Sequence, residues 1–266
     1  DRNLAGNGDF TDMPATDSNG AAIDPSAMYL FGPSTTRAGL QVISMAQYFT
    51  NPIKKVDIPG WTESGGGTGA WRTYSAWPPK EAATKMLFFG ANGTLSFDAP
   101  AAGGAFDAYV SDPAHPVPYR HRPIEPTYFP KGSGWGTWLM EDQRFVNDRS
   151  DVLNYRTPVL TEDVVLAGDI TAKLFVSTTG QDADFVVKLI DVYPDEVAAQ
   201  PEMGGYQLMI SGDIFRGRYR DDPADPKPIP AGKVEQYKFR LPTVNHVFQP
   251  GHRIMVQVQS SLFPVY

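Results

Sequence analysis

Between Ile170 and Val176 apolar residues alternate with small or charged ones, the period of two that marks a half-buried strand. A polar turn, Thr178–Asp184, separates this run from a second β-rich run, Asp184–Pro194. Downstream of Trp71 the chain reads as strand after strand, at residues 85–90, 94–98, 106–110, 137–140, 152–155, 164–167, 170–177, 184–192, 205–215, 233–241 and 252–260. Turns such as Ala91-Asn92-Gly93 and Thr179-Gly180-Gln181-Asp182 punctuate them. Short strands at this spacing, with little helix between, predict a mainly-β fold, a sandwich or jelly roll. Upstream the pattern changes. Residues 1–30 are polar and aperiodic, residues 40–50 place Leu40, Ile43 and Phe49 on one face of a predicted helix, and Gly65-Gly66-Gly67 marks a connector.

Composition agrees with a turn-rich β protein: 266 residues include 25 Gly and 24 Pro. A chain of that length buries a core without metals or disulfides. With no cysteine, a disulfide scaffold, a thiolate zinc site and a cysteine nucleophile are excluded. The net charge of −7 is scattered and argues against nucleic-acid binding, which needs a basic face. No apolar run is long enough for a membrane helix, and the start, Asp1-Arg2-Asn3-Leu4, has neither a signal-peptide build nor an initiator methionine, as in a processed or trimmed chain.

Candidate chemistry is sparse. His115, His121, His246 and His252 show no metal-ligand spacing; His252 opens a strand and reads as surface or structural, and His115 and His121 sit in a proline-rich loop. Asp182 with Asp184, and Asp191 with Asp195, read as solvated turns before calcium ligands, and Asp221, Asp222 and Asp225 as a solvent-facing loop. No metal and no cofactor is called for. Trp71, Trp77, Trp135 and Trp138 are the candidate ligand or domain-interface aromatics, Trp135 and Trp138 lying in a glycine-rich loop.

Several longer motifs occur together in one order: Thr68–Pro79 with Trp71, Trp77 and Pro78; Leu87–Leu95; Phe106–Tyr119; Asp142-Gln143-Arg144-Phe145; Gly168–Tyr193; Gly204–Leu208; and Gly251–Ser260. They resemble the C-terminal β-sandwich of the cocaine-esterase and X-prolyl dipeptidyl peptidase-like serine hydrolases, α-amino-acid ester hydrolases and glutaryl acylases above all. The resemblance covers residues 68–266. It implies a galactose-binding-like jelly-roll domain at 68–266 and a lead-in at 1–67 that resembles the end of an α/β-hydrolase domain. Relatives continue past Leu262–Tyr266 with further strands, so the resemblance implies a jelly roll lacking its last strands, and the Asp1-Arg2-Asn3 start resembles the run that follows in relatives.

In that family a Gly-Pro-Trp-x-His element carries the catalytic histidine. Tyr29–Thr36 stands at the matching distance, with Ser34 in place of the tryptophan and Thr36 in place of the histidine; alternatively Phe31-Gly32-Pro33 is simply a turn. Threonine takes up no proton near neutral pH and cannot serve as general base. No Gly-x-Ser-x-Gly elbow is present, Ser44 lies on the predicted helix and Ser133 in a loop, so no residue is assigned a catalytic role. The resemblance implies the β-sandwich part of a serine acyl hydrolase acting on small esters or amides, partnered by an α/β-hydrolase catalytic domain or another copy of the chain. A homo-oligomer, neither nucleic acid nor membrane as partner, and a periplasmic or extracellular location complete the expectation. The alternative is a non-catalytic binding or assembly module derived from that family.

Overall fold

The computed structural model describes residues 76–100, 105–124, 126–129, 132–133, 135–198 and 200–265, together with residues 34–36 and 39–41. In chain order the first elements are β1 (Ser34–Thr36), β2 (Gly39–Gln41), β3 (Phe88–Gly90), β4 (Thr94–Ser96), β5 (Tyr128–Phe129), β6 (Gly132–Ser133) and α1 (Trp135–Met140). Then follow β7 (Leu153–Arg156), β8 (Val164–Val176), β9 (Asp184–Val192), β10 (Gln207–Arg216), β11 (Glu235–Phe248) and β12 (Arg253–Gln259).

Two layers result. Six strands form one sheet in the order β10-β9-β12-β7-β4-β3, antiparallel except where β4 meets β7. Opposite them lies a long antiparallel ribbon of β8 and β11. Phe185, Val187 and Leu189 of β9 and Ile254, Val256 and Val258 of β12 point between the layers. They meet Ala172 and Leu174 of β8 and Tyr237, Phe239, Leu241 and Phe248 of β11. Ring contacts lock this core: Phe185 and Tyr237 have centroids 4.6 Å apart, and Phe215 stacks on Phe239 at 5.0 Å.

The strand β8 is half-buried, as its alternation predicts: Ala172 and Leu174 are buried, Thr171, Lys173 and Phe175 exposed. β9 and β12 are different. Almost every residue in them is buried, because loops cover the face that turns away from the ribbon. A central strand covered on both sides loses its alternation.

One irregularity in β11 matters for everything that follows. Leu241 pairs with Ile170, but Val244 pairs with Gly168, so β11 holds one residue more than its partner at Pro242–Thr243. Before this bulge the odd residues Tyr237, Phe239 and Leu241 face inward; after it the even residues Val244, His246 and Phe248 do. Proline, which has no N–H to give the ladder, fits at such a bulge. Gly168 opposite has φ +136, a backbone open to glycine, and a Cβ there would stand 3.1 Å from Pro78.

Four sequence expectations need correction. Residues 137–140 lie on the short helix α1 rather than a strand, and 106–110 form no strand. The runs at 164–167 and 170–177 are one strand, β8, carried through Gly168. Leu40 and Gln41, placed on a helix, belong to β2, paired with β1; the rest of the predicted helix and Ser44 lie outside the described residues.

Candidate functional site

At one end of the sandwich the apolar core gives way to a charged group. Asp191 continues the inward-facing row Phe185, Val187, Leu189 of β9 and is completely buried. The Asp191 Oδ1 stands 2.8 Å from His252 Nδ1 and Oδ2 stands 2.9 Å from His246 Nε2. His246 reaches it from the opposite layer because the Pro242–Thr243 bulge has switched the parity of β11. His252 arrives from the turn that opens β12, with its ring 4.5 Å from that of Tyr193. Burial alone would push the Asp191 carboxyl up, but the hydrogen bonds from His246 and His252 outweigh it and hold it below the usual carboxylate range. This corrects the reading of Asp191 as part of a solvated turn: the chain beyond it stays buried through Tyr193.

On the other face of β9, three residues earlier, Lys188 is buried to 1 % exposure. Its Nζ donates to Gln143 Oε1 at 2.9 Å, and desolvation pushes its pKa down to about 7. Register places Gln257 of β12 beside Lys188 and Asn154 of β7 beside Gln257, forming a polar row across three strands. Neither amide atom of Gln257 has a partner, nor do the side-chain oxygens of Asn154, Asn147 and Gln259. So many buried polar atoms in one seam are what internal water ordinarily satisfies.

The residues singled out from sequence are dispersed. Trp71 lies outside the described residues, and so does the side chain of Trp135. Trp77 is half-buried beside Pro78. Trp138 sits on α1 rather than in a loop, with the guanidinium of Arg120 over its ring at 4.9 Å and the Tyr119 ring at 5.4 Å. Arg120 is buried and also donates to Glu141 at 2.9 Å. His115 bonds Asp112 on the surface, and Asp182 and Asp184 pair with Arg218 and Arg216. Asp221, Asp222 and Asp225 are exposed. Ser133 belongs to β6 and precedes α1 by one residue, so it does stand between a strand and a helix; β6, however, is a two-residue antiparallel strand.

A serine hydrolase needs an imidazole with a hydroxyl on one nitrogen and a carboxylate on the other. Asp191 and His246 supply the second half alone. The His246 Nδ1 is buried without a partner, and among the described residues no serine is hydrogen-bonded to a histidine. Chemically this cluster is a cross-link between layers, holding β9, β11 and β12 in one geometry. Sequence reasoning missed it together with Lys188. The available signal was a lysine and an aspartate inside the otherwise apolar run Phe185–Val192, where a surface strand would alternate.

Comparison with known proteins places this architecture. Residues 57–266 match the family described as the X-Pro dipeptidyl-peptidase C-terminal non-catalytic domain. The chain is 37% identical over 216 residues to the cocaine esterase of Rhodococcus sp. (strain MB1 Bresler), covering 75% of this chain and 33% of that protein. Among solved structures, an aminopeptidase from a marine sediment Thaumarchaeota archaeon shares 54% identity with a TM-score of 0.72, over 80% of this chain and 35% of its own. An α-amino acid ester hydrolase shares 46% with a TM-score of 0.71, over 83% and 37%. The chain thus spans about a third of the length of these relatives.

Proposed function

The chain belongs to the X-Pro dipeptidyl-peptidase C-terminal non-catalytic domain family, and on that premise we propose that it is the β-sandwich portion of a serine acyl hydrolase similar to the α-amino-acid ester hydrolases. The observation that carries this reading is the 46% identity to an α-amino acid ester hydrolase sustained over 83% of the chain. In the intact enzyme a serine of the catalytic domain attacks an ester or amide carbonyl and expels the alcohol or amine. Water or an amine then takes the acyl group from the serine. The sandwich contributes no reacting group; its role is to pack rigidly against the catalytic domain and help wall its cleft. The Asp191 cross-link, which fixes one strand layer on the other, supports such a scaffold role.

The experiment is labelling with a serine-directed fluorophosphonate probe, followed by peptide mapping, on the 266-residue chain and on the native gene product. The chain alone is expected to stay unlabelled and to release no burst from an activated ester. The native product is expected to be labelled at a serine outside these residues. Labelling of a serine within the chain would overturn the scaffold reading. A native product that ends at these boundaries and stays unlabelled would favour the binding or assembly module.

A further inference from the structure

At the β3 edge of the six-stranded sheet, the tip of the β3–β4 hairpin, Ala91-Asn92-Gly93, holds a chemistry that the scaffold role does not use. Asn92 is exposed, with φ +56 and ψ +35, and among the described residues it is the only one besides glycines with a positive φ. Gly93 follows at φ +69 and lies tight against β7: a Cβ on it would stand 2.6 Å from the Asn154 carbonyl oxygen. An asparagine followed by glycine is open to attack by its own backbone, because no side chain shields the glycine nitrogen. Asn147, Asn154 and Asn245 are followed by Asp, Tyr and His instead. Asn7-Gly8 and Asn19-Gly20 repeat the dipeptide outside the described residues.

In the closed turn the backbone of Asn92 holds the Gly93 nitrogen to one side of the carboxamide carbon, so ring closure waits on rotation about ψ and opening of the tip. The tip is closed by Thr94, which donates its N–H and, at 2.9 Å, its hydroxyl to the Ala91 carbonyl oxygen. Few ladder bonds back these two. β3 and β4 have three residues each, β3 is the last strand of the sheet, and a single register pair, Thr94 with Arg156, joins β4 to β7. Segments held this way open locally at far less cost than global unfolding.

We propose that Asn92 is a self-modification site whose isoaspartyl product unlatches this edge of the sheet. The Gly93 nitrogen attacks Asn92 Cγ; the N–Cγ bond forms, the Cγ–Nδ2 bond breaks, and Nδ2 leaves as ammonia with the Gly93 amide proton. Water then opens the succinimide, at Cγ to give aspartate or at the backbone carbonyl carbon to give isoaspartate. Isoaspartate carries the chain through Cβ and Cγ, one backbone atom longer than before. That atom enters where Gly93 is already tight against Asn154, and the pairs Gly90–Thr94, Phe89–Leu95 and Phe88–Ser96 lose their register. Phe89, stacked on Tyr155 at 4.2 Å, and the buried Leu95 are then drawn from the core.

The test is to age the full chain in mildly alkaline buffer, folded and in urea, and to follow each asparagine by peptide mapping with isoaspartyl methyltransferase labelling. Isoaspartate at position 92 is expected to form in the folded chain no more than about a hundredfold slower than in urea. In the isoaspartyl fraction, hydrogen exchange of the Phe88–Ser96 amides is expected to be at least about tenfold faster than in fresh chain. Freshly prepared Asn92→Asp gains the charge without the extra backbone atom and is expected to keep the slow exchange. A position 92 that keeps its amide in the folded chain while losing it in urea would overturn the proposal. So would an isoaspartyl fraction with unchanged exchange, or an Asn92→Asp variant that loosens the hairpin equally. None of these results bears on where the catalytic serine lies, so failure here is separable from failure of the scaffold reading.

Discussion

Asp191 and Lys188 lie three residues apart on one strand, both fully buried, and they face opposite ways. The aspartate points into the sandwich, where one imidazole from β11 and one from the turn that opens β12 meet its two oxygens. The lysine points out under a loop, where one neutral amide oxygen meets it amid unpartnered amides. A buried charge survives where its hydrogen-bonding capacity is met and gives way where it is not. Accordingly the carboxyl is held below its usual range, while the ammonium titrates near neutrality at about 7. One side of β9 is therefore a fixed cross-link, and the other is a place where pH acts on the fold.

The sharpest way to break the inner side is to remove its geometry. Deleting Thr243 takes the extra residue out of the β11 bulge and returns Val244, His246 and Phe248 to the outward parity. Burial of two apolar side chains is lost and Asp191 loses its donor from β11, a cost on the order of 5 kcal/mol. That is about a third or more of a typical domain's stability. The deletion variant is expected to be recovered unfolded or insoluble, and a soluble variant with native circular dichroism would show that the bulge does not set the parity.

Next in size is the charge itself. Asp191→Ala strands two buried imidazoles and is expected to cost about 3 kcal/mol in urea unfolding at pH 7. The Asp191 carboxyl is depressed in the folded state, so its contribution is present above the unfolded pKa of 3.8 and disappears as pH falls through the lower, folded value. The difference between wild type and variant should hold steady down to pH 4 and close only below it. A difference that closes between about pH 7 and about 6 would mean that histidine protonation, not the carboxylate, governs the cross-link.

On the outer side stability also rises with pH, but near neutrality, and because burial penalises the charged form instead of favouring it. Lys188 binds its proton less tightly folded than unfolded, so between about 7 and 10.5 the unfolded chain holds more protons and stability rises with pH. Wild type is expected to lose about 1 kcal/mol per unit as pH falls from about 9 to about 7. Lys188→Met removes the titrating group and should flatten that slope while changing stability little at the high end. Parallel slopes for the two proteins would place the ionised lysine comfortably in the fold.

Much of this was legible in the chain, and the illegible parts share one cause. The alternation in Ile170–Val176 gave β8 its buried face, and the apolar run Asp184–Val192 gave β9 its extent. The motif order of residues 68–266 pointed to the family that the match over 57–266 establishes. What failed depends on how layers are covered. Gln257 and Gln259 alternate with Val256 and Val258 as if facing water, yet both are wholly buried. β11 seemed to end at Leu241 because Pro242 breaks a strand pattern, whereas the strand absorbs the proline in a bulge and continues to Phe248. Trp135-Gly136-Thr137-Trp138 carries no helical periodicity, and α1 is too short to show one. His246 and Asp191, 55 residues apart, meet only through that bulge, which no spacing rule encodes.

The smallest effect tests whether the outer seam is wet. Gln257 is wholly buried, and neither of its amide atoms has a protein partner. In a dry seam, Gln257→Leu replaces an unsatisfied amide by an apolar group of similar volume and removes the desolvation penalty, a gain of about 1 kcal/mol. In a wet seam the leucine displaces water that also serves Asn154, and stability falls instead. The crowding of unpartnered oxygens around Lys188 favours water: Asn154, Asn147 and Gln259 each present an acceptor without a donor. A loss of about 1 kcal/mol in urea unfolding is therefore the expected result, with a shallower pH slope for Lys188 once its solvation is withdrawn or altered. A gain would mean that the outer side of β9 tolerates its unpaired groups dry. The contrast with Asp191 would then be one of unmet bonding rather than of hydration.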